Sequence, residues 1–137
     1  GKMLGKSYVG EWLFYHRKSD KVMTRENYNQ QGKLDGELTV YYTNGKVAEV
    51  KNYKDGKQHG KTTLYTEKNE LISEYIYVND KLHGETKIYD PKGNVVAEGI
   101  YRNNKRHGIW KFYENGKLKE EKDFTPKSKN PYKKKKQ

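Results

Sequence analysis

One spacing constrains this chain more than any other feature. Gly36, Gly60, Gly84 and Gly108 stand 24 residues apart, and Tyr41, Tyr65, Tyr89 and Tyr113 each follow by five. Tyr53, Tyr77 and Tyr101 keep the same interval, as do His59, His83 and His107, and Lys33, Lys57, Lys81 and Lys105. An earlier copy begins at Gly10, with Tyr15 and Tyr28, and reaches Gly36 after 26 residues. Coincident ladders of one period mark a repeat architecture, in which each unit buries its apolar side only against its neighbours.

Each copy reads as two short strands. After Gly36 the run Glu37-Leu38-Thr39-Val40-Tyr41-Tyr42 alternates polar and apolar, the pattern of a half-buried strand. Asn44-Gly45 marks a tight hairpin turn, because both residues tolerate positive φ. A return strand runs from Lys46 to Tyr53, and Asp55-Gly56 turns the chain into the next copy. Equivalent turns fall at Lys92-Gly93, Asn103-Asn104 and Asn115-Gly116, with a weaker one at Asn79-Asp80. Nothing in the body sustains a 3.6-residue period, so no substantial helix is expected. The expected fold is all-β: a single-domain tandem β-hairpin repeat forming an open, twisted antiparallel meander of about ten strands. Strands about 4.8 Å apart advance the sheet by ~10 Å per copy.

The inward face is expected to take Trp12, Phe14, Leu38, Val40, Leu64, Ile88, Trp110 and Phe112 from the first strands. From the second strands it takes Leu71, Val95, Leu118, Tyr53, Tyr77, Tyr101 and Phe124. The recurring Gly marks a bend or close backbone approach that excludes a β-carbon. The last copy shortens its first turn by one residue and ends on Phe124 instead of Tyr, as suits a terminal unit with one neighbour.

Composition sharpens this reading. Leu, Ile, Val and Phe number 24 of 137 residues, a share found on the disordered side of the usual rule. Thirteen tyrosines and two tryptophans supply the missing apolar area, so a folded body with a thin core is expected. The net charge is +11. Six lysines after Phe124, with no acid among them, account for more than half, and 11 − 6 leaves +5 on residues 1–124. Residues 1–124 therefore read as the array, with copies near 10–35, 36–59, 60–83, 84–107 and 108–124. Residues 125–137 read as a basic Lys-rich tail. The chain has no cysteine, which excludes disulfides and thiolate metal sites. Without a signal-peptide pattern or an apolar run near the ~20 residues of a membrane span, a soluble chain is expected, cytoplasmic if no export signal has been removed.

The stretches Asn44-Gly45-Lys46, Asp55-Gly56-Lys57-Gln58-His59-Gly60, Lys105-Arg106-His107-Gly108-Ile109-Trp110 and Asn115-Gly116-Lys117-Leu118 resemble the MORN-variant repeat. The resemblance spans roughly residues 10–124. It is similar in kind to the bacterial YwqK-type antitoxin family, whose members are presumed to neutralise a partner toxin. Related MORN arrays are linked to phosphoinositide binding and to scaffolding. The resemblance implies a rod-like or twisted open sheet and brings no catalytic residues with it, and a fold of this kind does not fix the ligand.

The ladders can then be weighed as chemistry. Zinc ligands must lie within ~4 Å of one another, whereas His59, His83 and His107 are expected ~10 Å apart. A structural role beside the turns suits them, and neither a metal nor another cofactor is expected. Glu49, Glu74, Glu98 and Glu120 read as acids recurring with the repeat, each on its own rung in similar surroundings. Such a layout gives no converging acid–base pair, and no enzyme is expected. Lys33, Lys57, Lys81 and Lys105, with Arg106, should line one long edge. They are either solvated turn lysines that discourage edge pairing or a basic stripe for an acidic or anionic partner. Tyr41, Tyr65, Tyr89 and Tyr113 alternate out of phase with the Leu and Val positions. They are either rings folded over a turn or an exposed aromatic row suited to a protein partner. A toxin or scaffold protein is the expected partner and an anionic lipid surface the alternative. Nucleic acid fits less well, since rungs ~10 Å apart match neighbouring bases poorly. End-to-end self-association of sheets is a third, purely structural reading.

Overall fold

The computed structural model describes residues 1–5 and 7–127. They form thirteen strands in one antiparallel sheet and no helix. The N-terminal part holds β1 (Lys2–Leu4), β2 (Ser7–Tyr15) and β3 (Val22–Tyr28), followed by β4 (Gly36–Tyr41) and β5 (Val47–Lys54). The middle holds β6 (Lys57–Gln58), β7 (Gly60–Tyr65), β8 (Leu71–Val78), β9 (Lys81–Leu82) and β10 (Gly84–Tyr89). The array ends with β11 (Val95–Arg102), β12 (Lys105–Glu114) and β13 (Lys117–Asp123). The hydrogen-bonded order is β1-β2-β3-β4-β5-β7-β8-β10-β11-β12-β13, with β6 on β5 and β9 on β8. Every neighbour on the path is the next rung in sequence, which makes the open meander the repeat predicts.

Thirteen strands replace the expected ten for two physical reasons. β1 adds a short hairpin ahead of the first copy. The rungs entering the third and fourth copies are also each broken in two by a bulge. β5 pairs Tyr53 with Gln58 on β6 and Val50 with Thr63 on β7, so the register steps by two residues at His59-Gly60. The recurring glycine occupies this break: Gly60 has φ 114° and Gly84 φ 132°. A Cβ on Gly84 would also come within 2.9 Å of the Ile76 Cβ.

The turns divide into two types, and this corrects the reading of Asn44-Gly45. Only Gly45 (φ 87°) and its counterparts Asn69 and Gly93 are left-handed there. The loop is a longer one, closed by Tyr42 N–H to Lys46 O and Gly45 N–H to Tyr42 O, both 2.9 Å. The two-residue turn with paired positive φ belongs instead to Asp55-Gly56, Asn79-Asp80, Asn103-Asn104 and Asn115-Gly116. Asn79-Asp80, expected to be the weaker turn, has the same geometry as the rest.

Registers assign side chains to faces, because directly paired residues share a side. The inner face carries the row Trp12, Glu26, Leu38, Lys51, Thr62, Tyr75, Thr86, Gly99, Trp110, Lys122. Beside it run Val40, Glu49, Leu64, Ser73, Ile88, Ala97 and Phe112. Short and long residues alternate across the strands, so Thr62, Ser73, Thr86 and Ala97 are buried within a single layer. Thr62, Ser73 and Thr86 are burials that apolar patterning missed. Trp110 is fully buried, its indole flanked by Tyr101, Phe112 and Phe124 and capped by Arg106 at 5.0 Å. A Cβ on Gly99 would overlap that indole. At the other end Tyr8 gathers Trp12, Phe14 and Tyr28. Leu118, expected inside, is 52% exposed. Its counterparts Leu71 and Val95 pair with Tyr65 and Tyr89 through the same register shift, but Leu118 lies on the edge strand β13, whose residues are all exposed.

Candidate interaction surfaces

The outer face is built from the other residue of each alternating pair. One row runs unbroken through the copies: Leu13, Arg25, Thr39, Val50, Thr63, Glu74, Lys87, Glu98, Lys111, Glu121. After Arg25 its first half is neutral, whereas from Glu74 onward every cross-strand neighbour reverses the sign. Opposite charges placed directly across a ladder each stabilise by a few tenths of a kcal/mol, and the row ends with no net excess over its charged half beyond one carboxylate. Reading single strands misses this row, because its signal lies in the register.

The tyrosine ladder flanks this row, half-buried at Tyr41, Tyr65, Tyr89 and Tyr113. Tyr89 donates to Glu74 Oε1 and Tyr113 to Glu98 Oε2, both at 2.5 Å. Glu74 also meets Lys61 Nζ at 2.5 Å. Lys61 and then Tyr89 hold the Glu74 carboxyl below its ordinary value. In return, the bond to Glu74 and burial push the Tyr89 phenol up to about 12. The bond to Glu98 raises Tyr113 likewise. Tyr41 lies beside Arg25, whose Nη1 reaches Glu11 at 3.2 and 3.3 Å. At the position corresponding to Glu74 and Glu98, the second copy has Val50, so Tyr65 lacks the carboxylate that its counterparts hold.

This geometry corrects the reading of the acids. Only Glu74 and Glu98 are true equivalents, 24 residues apart. Glu49 pairs with Val40 and Leu64, and Glu120 with Phe112, which puts both on the inner face. The acids therefore occupy two environments instead of one.

The turn edge carries the lysine ladder. Lys33, Lys57, Lys81 and Lys105 are all exposed, as is Arg106. Arg106 is set apart by its guanidinium, which spans Trp110 and Phe124 at 5.0 and 5.3 Å. Backbone bonds stitch successive turns together: Asp80 N–H to Gln58 O and Asn104 N–H to Leu82 O, both 2.9 Å. Asp80 Oδ1 and Asn104 Oδ1 accept in return from the N–H groups of Gln58 and Leu82 at 2.8 Å. The lysines thus stand on a rigid spine. The tail lysines Lys133–Lys136 lie outside the described residues.

The histidines sit at the copy junctions. His59 and His83 donate backbone N–H groups to Asn52 O and Ile76 O, and His83 Nδ1 accepts from Asn103 N–H at 3.3 Å. His107 Nε2 lies 3.5 Å from Arg102 Nη1. Among the described residues, no group of three or more His, Cys, Asp or Glu side chains is placed to hold a metal ion. The clefts are shallow and open, and one lies on the outer face between Glu85, Lys87, Glu98, Ile100, Ile109 and Lys111.

No curated protein matches the chain. A repeat family does match in three places, each segment beginning two residues before a ladder glycine and running through the following hairpin. Residues 34–55, 82–103 and 106–125 match the MORN repeat variant, so these three stretches of the array are similar to that repeat.

Proposed function

We propose that this chain is a non-enzymatic repeat module that binds another protein, in the manner of an antitoxin or immunity protein masking a partner toxin. One feature supports the reading above the rest: equivalent side chains of successive copies are spread along a continuous open sheet, which favours an extended partner surface over a small-molecule pocket. Tyr41, Tyr65, Tyr89 and Tyr113 offer half-buried aromatic anchors, the residue type that concentrates binding energy at interfaces. Lys33, Lys57, Lys81, Lys105 and Arg106 steer an acidic partner. In this reading residues 1–124 form the binding array and 125–137 a basic accessory tail. Affinity capture from the native source should recover one stoichiometric protein, and Tyr65→Ala should weaken its binding by tenfold or more, about 1.4 kcal/mol. For the antitoxin form, the captured protein must be toxic alone and tolerated when the two are co-expressed. Recovery of no stoichiometric protein removes the proposal.

The exposed lysine edge favours a second reading, in which the chain binds an anionic surface such as a phosphoinositide membrane. Charges ~10 Å apart at a Debye length near 8 Å attract weakly, so the tail would carry most of the affinity, at about 1 kcal/mol per lysine. Removing residues 125–137 should then collapse binding to acidic vesicles, and unchanged binding excludes that role for the tail.

A further inference from the structure

The outer face changes character halfway along the array. In its first half Asn27 and Asn52 bond to the sheet itself: each donates from Nδ2 to a carbonyl of the next strand, Glu37 O and Lys61 O, at 2.7 Å. Ile76 and Ile100 follow Asn52 at the 24-residue interval, and Ile109 stands where earlier copies have Glu37, Lys61 and Glu85. The registers set all three isoleucines on the outer face, beside Glu74, Glu98 and Lys111. Ile100 and Ile109 are exposed. The same rungs carry the alternating row Glu74, Lys87, Glu98, Lys111. Tyr89 and Tyr113 hold its carboxylates. Lys87 and Lys111 are exposed and, among the described residues, have no carboxylate at ion-pair distance. Beside the cleft around Ile100 and Ile109, a second opens between Lys61, Glu74, Ile76, Glu85 and Lys87.

We propose that this half of the outer face packs against the same half of a second copy, about a two-fold axis running along the strands between β10 and β11. The alternation of the row selects such an axis. Rotation reverses the order of the rungs, so an axis on a rung brings like charges together. Through β11, Glu98 would meet its own mate and Lys87 would meet Lys111. An axis between β10 and β11 sets Glu74 against Lys111 of the second copy and Lys87 against Glu98, each pair made twice. It also lays Ile109 over Ile76 and its cleft. An axis one rung later would oppose the carboxylates of Glu85 and Asp123, and one rung earlier would set Glu98 against the neutral Thr63. Facing sheets lie ~10 Å apart and align within about 30°, which brings opposed Lys and Glu side chains into reach. Charge complementarity of this kind fixes register more than it adds affinity. Four rungs of ~5 residues span about 19 by 17 Å, at the small end of specific interfaces, so the dimer forms as concentration rises. Glu85, set against Ile100 of the second copy, opposes it. The neutral half, with Tyr41 and Tyr65, stays uncovered, so the dimer is independent of the partner proposed above.

Charge reversal in separate chains tests the contact. Sedimentation of the unmodified chain should show a monomer–dimer equilibrium. Lys87→Glu and Glu98→Lys should each weaken it about tenfold or more, because each sets like charges together in a symmetric pair. Mixing the two variants should restore it, since the reversed charges then face each other and the unaltered ones do likewise. Positions 87 and 98 are cross-strand neighbours within one chain and stay like-charged in both variants, so restoration reports the contact between copies and not the fold. Glu85→Gln should tighten the dimer by about threefold. If circular dichroism shows that a variant fails to fold, Lys111→Glu mixed with Glu74→Lys makes the same comparison at the outer pair. A monomer at every concentration, growth beyond dimer, or variants that associate no better mixed than alone would overturn the proposal.

Discussion

Along β10, two kinds of surface alternate residue by residue. Thr86 is buried and Ile88 half-buried on the inner face, while Glu85 and Lys87 between them are exposed on the outer face. The whole sheet follows this division. The inner face alternates small and large side chains until a single layer buries Thr62, Ser73, Thr86 and Ala97, and it ends in aromatic clusters around Trp12 and Trp110. The outer face buries Thr39 in its neutral half and otherwise pairs charges and phenols that remain in reach of water. Stability is thus concentrated on one side, which leaves the other free to vary in chemistry from the neutral first half to the charged second half.

The strongest way to break this contrast is to substitute one residue on each face of β12. Trp110→Ala should cost about 3–5 kcal/mol in denaturant unfolding. Ile109→Ala, one residue away and 54% exposed, should stay within about 0.5 kcal/mol. Similar losses from the two would show that the faces are not distinct. Next in size is Gly99→Ala, whose new methyl group needs the space of the Trp110 indole. Overpacking of about 1–3 kcal/mol is expected, with tryptophan emission shifted to the red as the ring is displaced.

Thr86→Val sharpens the account of the inner face. The Thr86 hydroxyl is buried without a hydrogen-bond partner, so an isosteric apolar side chain should raise stability by about 1 kcal/mol. Thr62 Oγ1 reaches Gln58 Oε1 at 3.3 Å, and Thr62→Val should bring no such gain. Thermal melts of the two variants make the comparison.

The smallest effects belong to the outer face and depend on pH. Lys61 and Tyr89 lower the Glu74 carboxyl from its ordinary 4.5. Their stabilisation is present above about 4.5 and lost as pH falls through the lower folded value. Tyr89 runs the other way: raised from 10 to about 12, it stabilises below pH 10 and loses that contribution as pH climbs toward 12. Lys61 is 55% exposed in this pair, so solvent screening holds each effect to a fraction of a kcal/mol. Tyr89→Phe should flatten both limbs of the stability–pH curve, and an unchanged profile would remove the Tyr89–Glu74 pair as a contributor.

Much of this division was legible in the sequence. The glycine ladder marked sites where the backbone bends or approaches too closely for a β-carbon, which the structure shows as bulges at Gly60 and Gly84. The alternation after Gly36 announced the faces, and the phase of Tyr41, Tyr65, Tyr89 and Tyr113 placed them opposite Leu38, Val40 and their kin. Three things were not. Thr62 and Thr86 are polar, so hydropathy alone cannot mark them as core; they are short side chains sheltered by longer cross-strand neighbours such as Tyr75, which pairs with Thr62. Glu74 and Glu98 keep the 24-residue period, as do Lys87 and Lys111, but that the acids and lysines interleave in one row follows only from the register, because Glu74 and Lys87 lie 13 residues apart on different strands. Asn44-Gly45 misled because the same dipeptide serves a two-residue turn and a longer loop, and the length of the connection decides between them.

Distances between successive lysine positions test the central claim most directly, that the copies stack as consecutive rungs of one open sheet. Paired spin labels at cysteines replacing Lys33 and Lys81, and Lys33 and Lys105, report on exposed turns in a chain with no competing thiol. Separations near ~20 Å and ~30 Å, growing by ~10 Å per copy, are the predicted result. Equal separations for the two pairs would mean a closed arrangement that draws the turns together, and would contradict the account.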